Sequence, residues 1–480
     1  MSSVIKFGTD GWRALTAEEF TLPNVRWVTQ ATADYLTSHP AAGRRKTVLV
    51  GYDTRPLGDR FAEVAAEVFA ANGFKVLLTD GPVPTPAVSF SIKRLKTLAG
   101  VVITASHNPF TYNGFKFKPS YAGPAEPEMT RWIEKRLPRA KVRRISLKEG
   151  LSSGKIKHVN LIPAYFQFLR GYVEWPVIKK AKFRVAYDSM YGAGQDLLQR
   201  LTAGTKLEII ALRGNARSPR KSSHRPEPVG EHLGCLEKLV KARRCDVGLA
   251  NDGDADRLGI VGPDGKFVSS QETMALLLWH LLEDRGWRGM VVTTVAGTNM
   301  MDKMAAHYRV PLKRTPVGFK HIARLIRSGN VLFGGEESGG YGLKGCVPER
   351  DGLLTGLLIL EMMAMRRKPL SIILSDMRRA FGHWSYSRAD LALSHPLDPK
   401  RLKGWARSVS SNGMQIPGAP PLREIQTTDG AKVVFKDRSW LLLRPSGTEP
   451  LLRIYAEARN SAAIRKLIKV GRSIGKRMVG

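Results

Sequence analysis

The chain is poor in cysteine, short of acids and without a long apolar run. Its 480 residues include three cysteines, Cys235, Cys245 and Cys346. Odd in number, scattered and far from any metal-ligand spacing, they exclude a disulfide framework and read as buried thiols of a reducing compartment. No stretch approaches the roughly 18 apolar residues that span a bilayer. The nearest candidates, Thr97 to Ala105 and Met274 to Leu282, are far too short, so no membrane partner is expected. The start, Met1 to Gly8, lacks a basic segment followed by a long apolar one, and a cytoplasmic chain is expected. Acids number 42 against 76 Lys and Arg, a formal net charge of +34. Such a surplus attracts anions.

Apolar residues at 43% and charged residues at 25% are ordinary for soluble globular chains, which excludes wholesale disorder, a coiled coil and a collagen-like fibre. The length implies about three domains, with two to four compatible. Basic clusters occur at Arg213 to Arg225 and at Arg465, Lys466, Lys469, Arg472, Lys476 and Arg477. The second set has the spacing of a solvated helix face, and no nucleic-acid module accompanies either. The charge therefore implies salt-sensitive adsorption to nucleic acid rather than a specific nucleic-acid function.

β-rich runs alternate with helical patterns, the sequence signature of α/β domains with mainly parallel sheets. The strand Thr47 to Asp53 is followed by a helix from Arg60 to Ala71, then by strands Lys75 to Leu78 and Gly100 to Thr104. The unit recurs at Arg184 to Asp188, Leu207 to Leu212 and Asp246 to Ala250. It recurs again as helix Gln271 to Leu282, strand Met290 to Val295, helix Met300 to His307 and strand Val331 to Phe333. From about Tyr386 the texture changes to alternating strands, Lys432 to Phe435, Trp440 to Leu443 and Leu452 to Ala456, closed by a helix from Ser461. Three similar α/β modules, 1–157, 158–262 and 263–385, and a smaller α+β domain, 386–480, are expected. Ala140 to Lys157, rich in Lys, Gly and Ser, reads as the first connector.

Four polar segments follow strands, where ligands collect in open parallel sheets. Thr104-Ala105-Ser106-His107-Asn108-Pro109, with Lys116 beyond, offers a serine for nucleophilic or phosphoryl-carrying work, or an ordinary turn. Asn251-Asp252-Gly253-Asp254-Ala255-Asp256-Arg257 places three carboxylates at alternate positions. A helix cap needs only one acid, and an EF-hand fails because Arg257 and Pro263 stand where Gly and Glu are required, so a hard divalent cation is expected, Mg2+ where a phosphate completes its shell. Gly334-Gly335-Glu336-Glu337-Ser338-Gly339-Gly340 reads as a hydroxyl-binding loop or a glycine-rich turn. Arg444-Pro445-Ser446-Gly447-Thr448-Glu449-Pro450 supplies the donors a phosphate dianion takes, or a β-turn.

Together, in this order and one per module, the four segments resemble those of the α-D-phosphohexomutase superfamily, over the whole chain. Phe7-Gly8-Thr9-Asp10-Gly11-Trp12-Arg13 is similar to the family's opening signature. The resemblance implies four domains around a central cleft and a phosphorylated Ser106 that converts hexose 1-phosphate to hexose 6-phosphate through a bound 1,6-bisphosphate. It further implies Mg2+ on Asp252, Asp254, Asp256 and the phosphorylated Ser106, with Arg13 and Arg257 beside the transferring group. Lys116, its pKa lowered by surrounding cations, is expected as the general base, with His107 as runner-up. Glu336 and Ser338 are expected on the sugar hydroxyls, and Arg444, Ser446, Gly447, Thr448 and Lys320 on the non-reacting phosphate.

Gly340 stands where many phosphomannomutases and phosphoglucosamine mutases carry His, and Glu336-Glu337 resembles glucose-type enzymes. Phosphoglucomutase activity is expected, with mannose 1-phosphate as second substrate and glucose 1,6-bisphosphate, or the matching hexose bisphosphate, as activator. The alternatives are a phosphoglucosamine mutase or a strict phosphomannomutase. A phosphatase is the non-mutase alternative, disfavoured because a hydrolase needs no second phosphate grip. A monomer or homodimer with a small phosphosugar partner is expected.

Overall fold

A computed structural model of the chain describes residues 5–41, 43–214, 225–411, 415–446 and 450–478. Four sheets follow one another along the sequence. The first holds β1 (Trp12–Leu15), β2 (Arg45–Tyr52), β3 (Lys75–Thr79), β4 (Thr97–Ile103), β5 (Tyr112–Pro119) and β6 (Ile156–Val159), in the order β1-β5-β4-β2-β3-β6. Strands β4, β2, β3 and β6 run parallel, and β5 turns back antiparallel between β4 and β1. Valines and isoleucines fill both faces: every residue of Thr97–Ile103 is buried. That double burial is what helices on both sides of a parallel sheet demand.

The second sheet, β11-β10-β9-β7-β8, comprises β7 (Arg184–Asp188), β8 (Glu208–Leu212), β9 (Val247–Asn251), β10 (Leu258–Val261) and β11 (Phe267–Val268). Its parallel strands are β8, β7 and β9. The third, β13-β12-β14-β15, has β12 (Met290–Thr294), β13 (Leu312–Thr315), β14 (Val331–Gly335) and an antiparallel β15 (Tyr341–Leu343). The fourth is wholly antiparallel, β16-β20-β19-β18-β17, with β16 (Ser385–Ala392), β17 (Leu422–Gln426), β18 (Ala431–Phe435), β19 (Trp440–Pro445) and β20 (Leu451–Ala458). The helices Pro399–Ser411 and Ser461–Arg477 are the main helical cover of this sheet, and their apolar residues share one core with it. Three α/β modules and an α+β domain are therefore present.

Two expectations are corrected. The segment from Ala140 to Lys157 is not a free connector: it contains the helix Leu147–Ser152, and β6 pairs with β3, with Ile156 buried in the first module's core. Of the cysteines, Cys245 is buried but Cys235 is exposed, on the outer face of the helix Gly234–Ala242, and Cys346 is half-buried. The basic run 213–225 lies mostly outside the described residues. No helix among the described residues is long and apolar enough to cross a membrane.

Candidate functional site

Strand β4 ends in the turn that carries Ser106, whose backbone takes the left-handed conformation (φ 52°). Strand β9 ends in the loop that carries the three aspartates. The two loops touch: Ser106 is fully buried and its Oγ donates to Asp252 Oδ2 at 2.7 Å. The approach depends on Gly253, where an added Cβ would press into the Ser106 carbonyl oxygen closer than real Cβ atoms come.

Asp252, Asp254 and Asp256 are all buried, and one oxygen from each lies within 4.8 Å of the others. Asp252 Oδ1 accepts the amides of Asp256 (2.9 Å) and Arg257 (3.1 Å). Asp254 Oδ2 accepts from Thr85 Oγ1 (2.5 Å) and Lys116 Nζ (2.7 Å). Asp254 Oδ1 and Asp256 Oδ1 are buried with no hydrogen-bond partner among the described residues. Burial, with the charges of Asp256 and Asp254 beside it, raises the Asp252 carboxyl far above the ordinary range. Convergent carboxylates with orphaned oxygens ask for a hard cation, and oxygen-only donors fit Mg2+.

Lys116, on β5, is wholly buried and its surroundings are the reverse of those expected. Its ammonium lies 3.1 Å from Asp10, 2.7 Å from Asp254 and 3.4 Å from Asp256. Burial opposes its charge, but these three carboxylates outweigh it and raise its pKa rather than lower it. For His107, burial, then the charges of Arg257, Arg13, Lys116 and Arg350, hold the pKa well below the usual value. Its Nδ1 is 3.4 Å from Ser106 Oγ. Arg13 donates to Asn108 Oδ1 at 2.9 Å, within the serine loop. Arg257 stands 3.9 Å from Asp252 and 3.8 Å from Asp256, and its Nε has no hydrogen-bond partner among the described residues.

Two residues without an expected role tie the modules together. Arg350 lies 2.6 Å from Asp256, 3.1 Å from Asp10 and 3.7 Å from Glu336, so it joins the first three modules. Asp10 pairs with Lys116, Lys118 and Arg350, and these cations hold its carboxyl well below the usual range against the opposing push of burial. Asp10 lay inside the opening signature, and a Pro-Glu-Arg-Asp run before the helix Gly352–Arg366 marks Arg350; these are the signals that could have found them.

Glu336 and Ser338 sit on the turn between β14 and β15. Burial lifts the Glu336 carboxyl up to about 7 against the pull of Arg350. Glu337 is engaged elsewhere, accepting from Thr294 Oγ1 at 2.9 Å. Gly340 has a structural reason: a Cβ there would run into the Arg350 side chain closer than real Cβ atoms come. Arg350 thus fills the space a side chain at 340 would take.

Arg444, at the end of β19, donates Nε to Asp429 Oδ2 at 2.8 Å, and the same oxygen accepts the Val317 amide at 2.9 Å. The fourth domain is thereby tied to the third-module loop that leads to Lys320, a half-buried residue in the first turn of the helix Phe319–Arg327. Ser446 donates its amide to Leu451 O at 2.8 Å. Gly447 and Thr448 lie outside the described residues. On the other side of that third-module loop, a Cβ at Gly318 would meet Thr9 Cγ2 at 3.1 Å, so the opening signature and this loop face each other.

A serine on an acidic triad, amid guanidinium groups and at a junction of three α/β modules, defines a protein built for phosphate chemistry on a small molecule. Family models for phosphoglucomutase/phosphomannomutase match residues 4–144 (α/β/α domain I), 163–265 (domain II), 269–381 (domain III) and 403–470 (C-terminal domain). The chain is 30% identical over 97% of its length to a phosphoglucomutase/phosphomannomutase of Thermococcus kodakarensis, 97% of which is covered. It is 32% identical over 98% of its length to a probable phosphoglucosamine mutase of Methanosphaera stadtmanae, also covered to 98%. The crystal structure of a putative phosphomannomutase from Thermus thermophilus superposes with a TM-score of 0.84 at 31% identity, over 99% of this chain and 100% of that one. The chain belongs to the phosphoglucomutase/phosphomannomutase family of the α-D-phosphohexomutase superfamily, whose members are mutases.

Proposed function

We propose that this chain interconverts hexose 1-phosphate and hexose 6-phosphate through a phosphoserine at Ser106, with glucose as the preferred sugar and mannose as the second. The observation that carries this reading is Ser106 Oγ resting on Asp252 beside two orphaned carboxylate oxygens. Asp252, Asp254 and Asp256 would hold Mg2+, joined by an oxygen of the phosphorylated Ser106. The ion would withdraw electron density from the phosphoryl group and offset its charge. Arg13 and Arg257 stand beside the same group.

In the forward direction the sugar's 6-hydroxyl oxygen bonds to the phosphorus of phosphoserine, the bond from that phosphorus to Ser106 Oγ breaks, and the hydroxyl proton leaves to a base. The bound 1,6-bisphosphate then gives its 1-phosphoryl group back to Ser106 Oγ. Hexose 6-phosphate departs. We assign the proton to His107, whose lowered pKa favours the neutral form and whose Nδ1 lies 3.4 Å from Ser106 Oγ. Lys116, paired with three carboxylates, positions the triad and adds charge. Glu336 and Ser338 would take the sugar hydroxyls, while Arg444, Ser446, Gly447, Thr448 and Lys320 would grip the phosphate that is not reacting.

The preference for glucose rests on the Glu336-Glu337 pair and on Gly340, whose space Arg350 occupies. Phosphoglucosamine is the second reading, favoured by the 32% identity to a relative so named. Initial rates on glucose, mannose and glucosamine 1-phosphates, each with catalytic amounts of its bisphosphate, separate the readings. Fastest turnover of the glucosamine ester would replace glucose as the substrate. Release of inorganic phosphate outpacing formation of the 6-phosphate would make the chain a phosphatase.

A further inference from the structure

Arg55 follows β2 and is 3% exposed, and its guanidinium makes none of its hydrogen bonds to the aspartate triad. It reaches instead into the serine loop. Nη2 donates to the carbonyl oxygens of Ser106 and Asn108, both at 2.6 Å. Nη1 donates to those of Pro109 (2.6 Å) and Tyr112 (2.9 Å), and Nε to Asp53 Oδ2 (3.1 Å). An arginine has five N–H donors, and here each has an acceptor, so none is left for a phosphate. Asp53 completes the frame: its Oδ2 accepts from Thr104 Oγ1 at 2.5 Å, and Thr104 Oγ1 in turn accepts the Ser106 amide at 2.9 Å. The Phe110 ring lies 5.1 Å from the guanidinium carbon.

Ser106 needs such a frame, because its φ of 52° is a conformation that favours glycine. Residues held there persist only where the surroundings over-determine them. From these contacts we infer that Arg55 is a positioning residue, a clamp that holds four carbonyls of the loop from Ser106 to Tyr112 and so fixes Ser106 Oγ for phosphoryl transfer. The inference rests on the reading of Ser106 as the phosphoryl carrier. A lysine cannot replace the clamp, since a point charge with three donors lacks the planar fork that spans four carbonyls.

The test compares the unaltered protein with Arg55→Lys and Arg55→Ala. Each is incubated with glucose 1,6-bisphosphate and Mg2+ and analysed by peptide mass spectrometry for phosphate on Ser106. Turnover of glucose 1-phosphate is measured in parallel. The clamp requires Ser106 occupancy and kcat to fall on the order of 10²-fold or more in both variants, with KM within about threefold, because the non-reacting phosphate is gripped elsewhere. It also requires methylguanidinium, and not methylammonium, to restore Arg55→Ala severalfold. Occupancy and kcat within threefold of the parent in Arg55→Lys, or a rise in KM with kcat held, overturns the clamp. Absence of Ser106 phosphate in the unaltered protein overturns the carrier reading instead. Should neither variant fold, amide exchange in the unaltered protein decides: protection of residues 104–112 equal to that of β4 supports the clamp, and exchange as fast as an exposed turn refutes it.

Discussion

Asp252, in its proposed role as a cation ligand, would serve chemistry at the expense of stability. Its carboxyl is buried beside two others, and its raised pKa records that burial and repulsion. Asp252→Asn is expected to raise the thermal midpoint of the metal-free protein while lowering turnover by on the order of 10²–10³-fold, since the proposed donor to the cation and the Ser106 partner would be lost together. Calorimetry with and without Mg2+, beside a coupled assay, checks both signs. Gly340→Ala should act in the opposite sense. The new methyl meets an Arg350 side chain already pinned by Asp256 and Asp10, and the cost is about 1–3 kcal/mol, read from a urea midpoint. The motifs at Ser106, Asp252 and Glu336 were legible because their spacing is local. The charge state of Lys116 was not, because Asp10, Asp254 and Asp256 reach it from 106, 138 and 140 positions away, and no sequence window shows such neighbours.

Among elements, the parallel strands were plain from their apolar runs and polar ends, and those placed at Arg184, Met290 and Val331 begin where expected. Strand β5 escaped notice because it carries Asn113, Lys116 and Lys118, polar residues buried only through distant partners. The helix expected over Gln271 to Leu282 ends as an α-helix at Trp279 and continues as a π-turn over His280–Asp284. That turn seats His280 between Asp284 and Glu361, each 2.8 Å away, while Arg285 and Arg366 hold the same two acids. Burial lowers the His280 pKa, but the two carboxylates outweigh it and raise it above the free value. The stabilisation is therefore complete below about pH 6.5 and is lost as pH rises through the raised folded pKa. Thermal midpoints should fall between pH 6 and pH 9. His280→Gln should flatten that dependence and cost on the order of 1–3 kcal/mol at pH 6. An unchanged pH dependence in the variant would contradict the assignment.

Over the whole molecule, the surplus of +34 lies mostly outside the site, where cations and carboxylates pair closely. Charge on that scale steers anions from a distance and is screened beyond about 10 Å at ordinary salt. Raising NaCl from 20 to 500 mM should lower kcat/KM for a hexose phosphate about tenfold while kcat changes less than twofold. A fall in kcat instead would place the sensitivity in the chemistry. The meeting of the modules was legible only in outline. One arrangement, Arg350 between Asp256, Asp10 and Glu336, brings three modules to one point, and Asp429 brings the fourth to the loop that leads to Lys320. The central claim is that Ser106 carries the phosphoryl group, and peptide mass spectrometry of protein quenched during turnover tests it most directly. The account predicts a gain of roughly 80 Da on the Ser106 peptide, discharged by glucose 1-phosphate, with no gain in Ser106→Ala and a loss of turnover on the order of 10⁴-fold or more. Retained turnover in Ser106→Ala, or phosphate mapped to another residue, would contradict it.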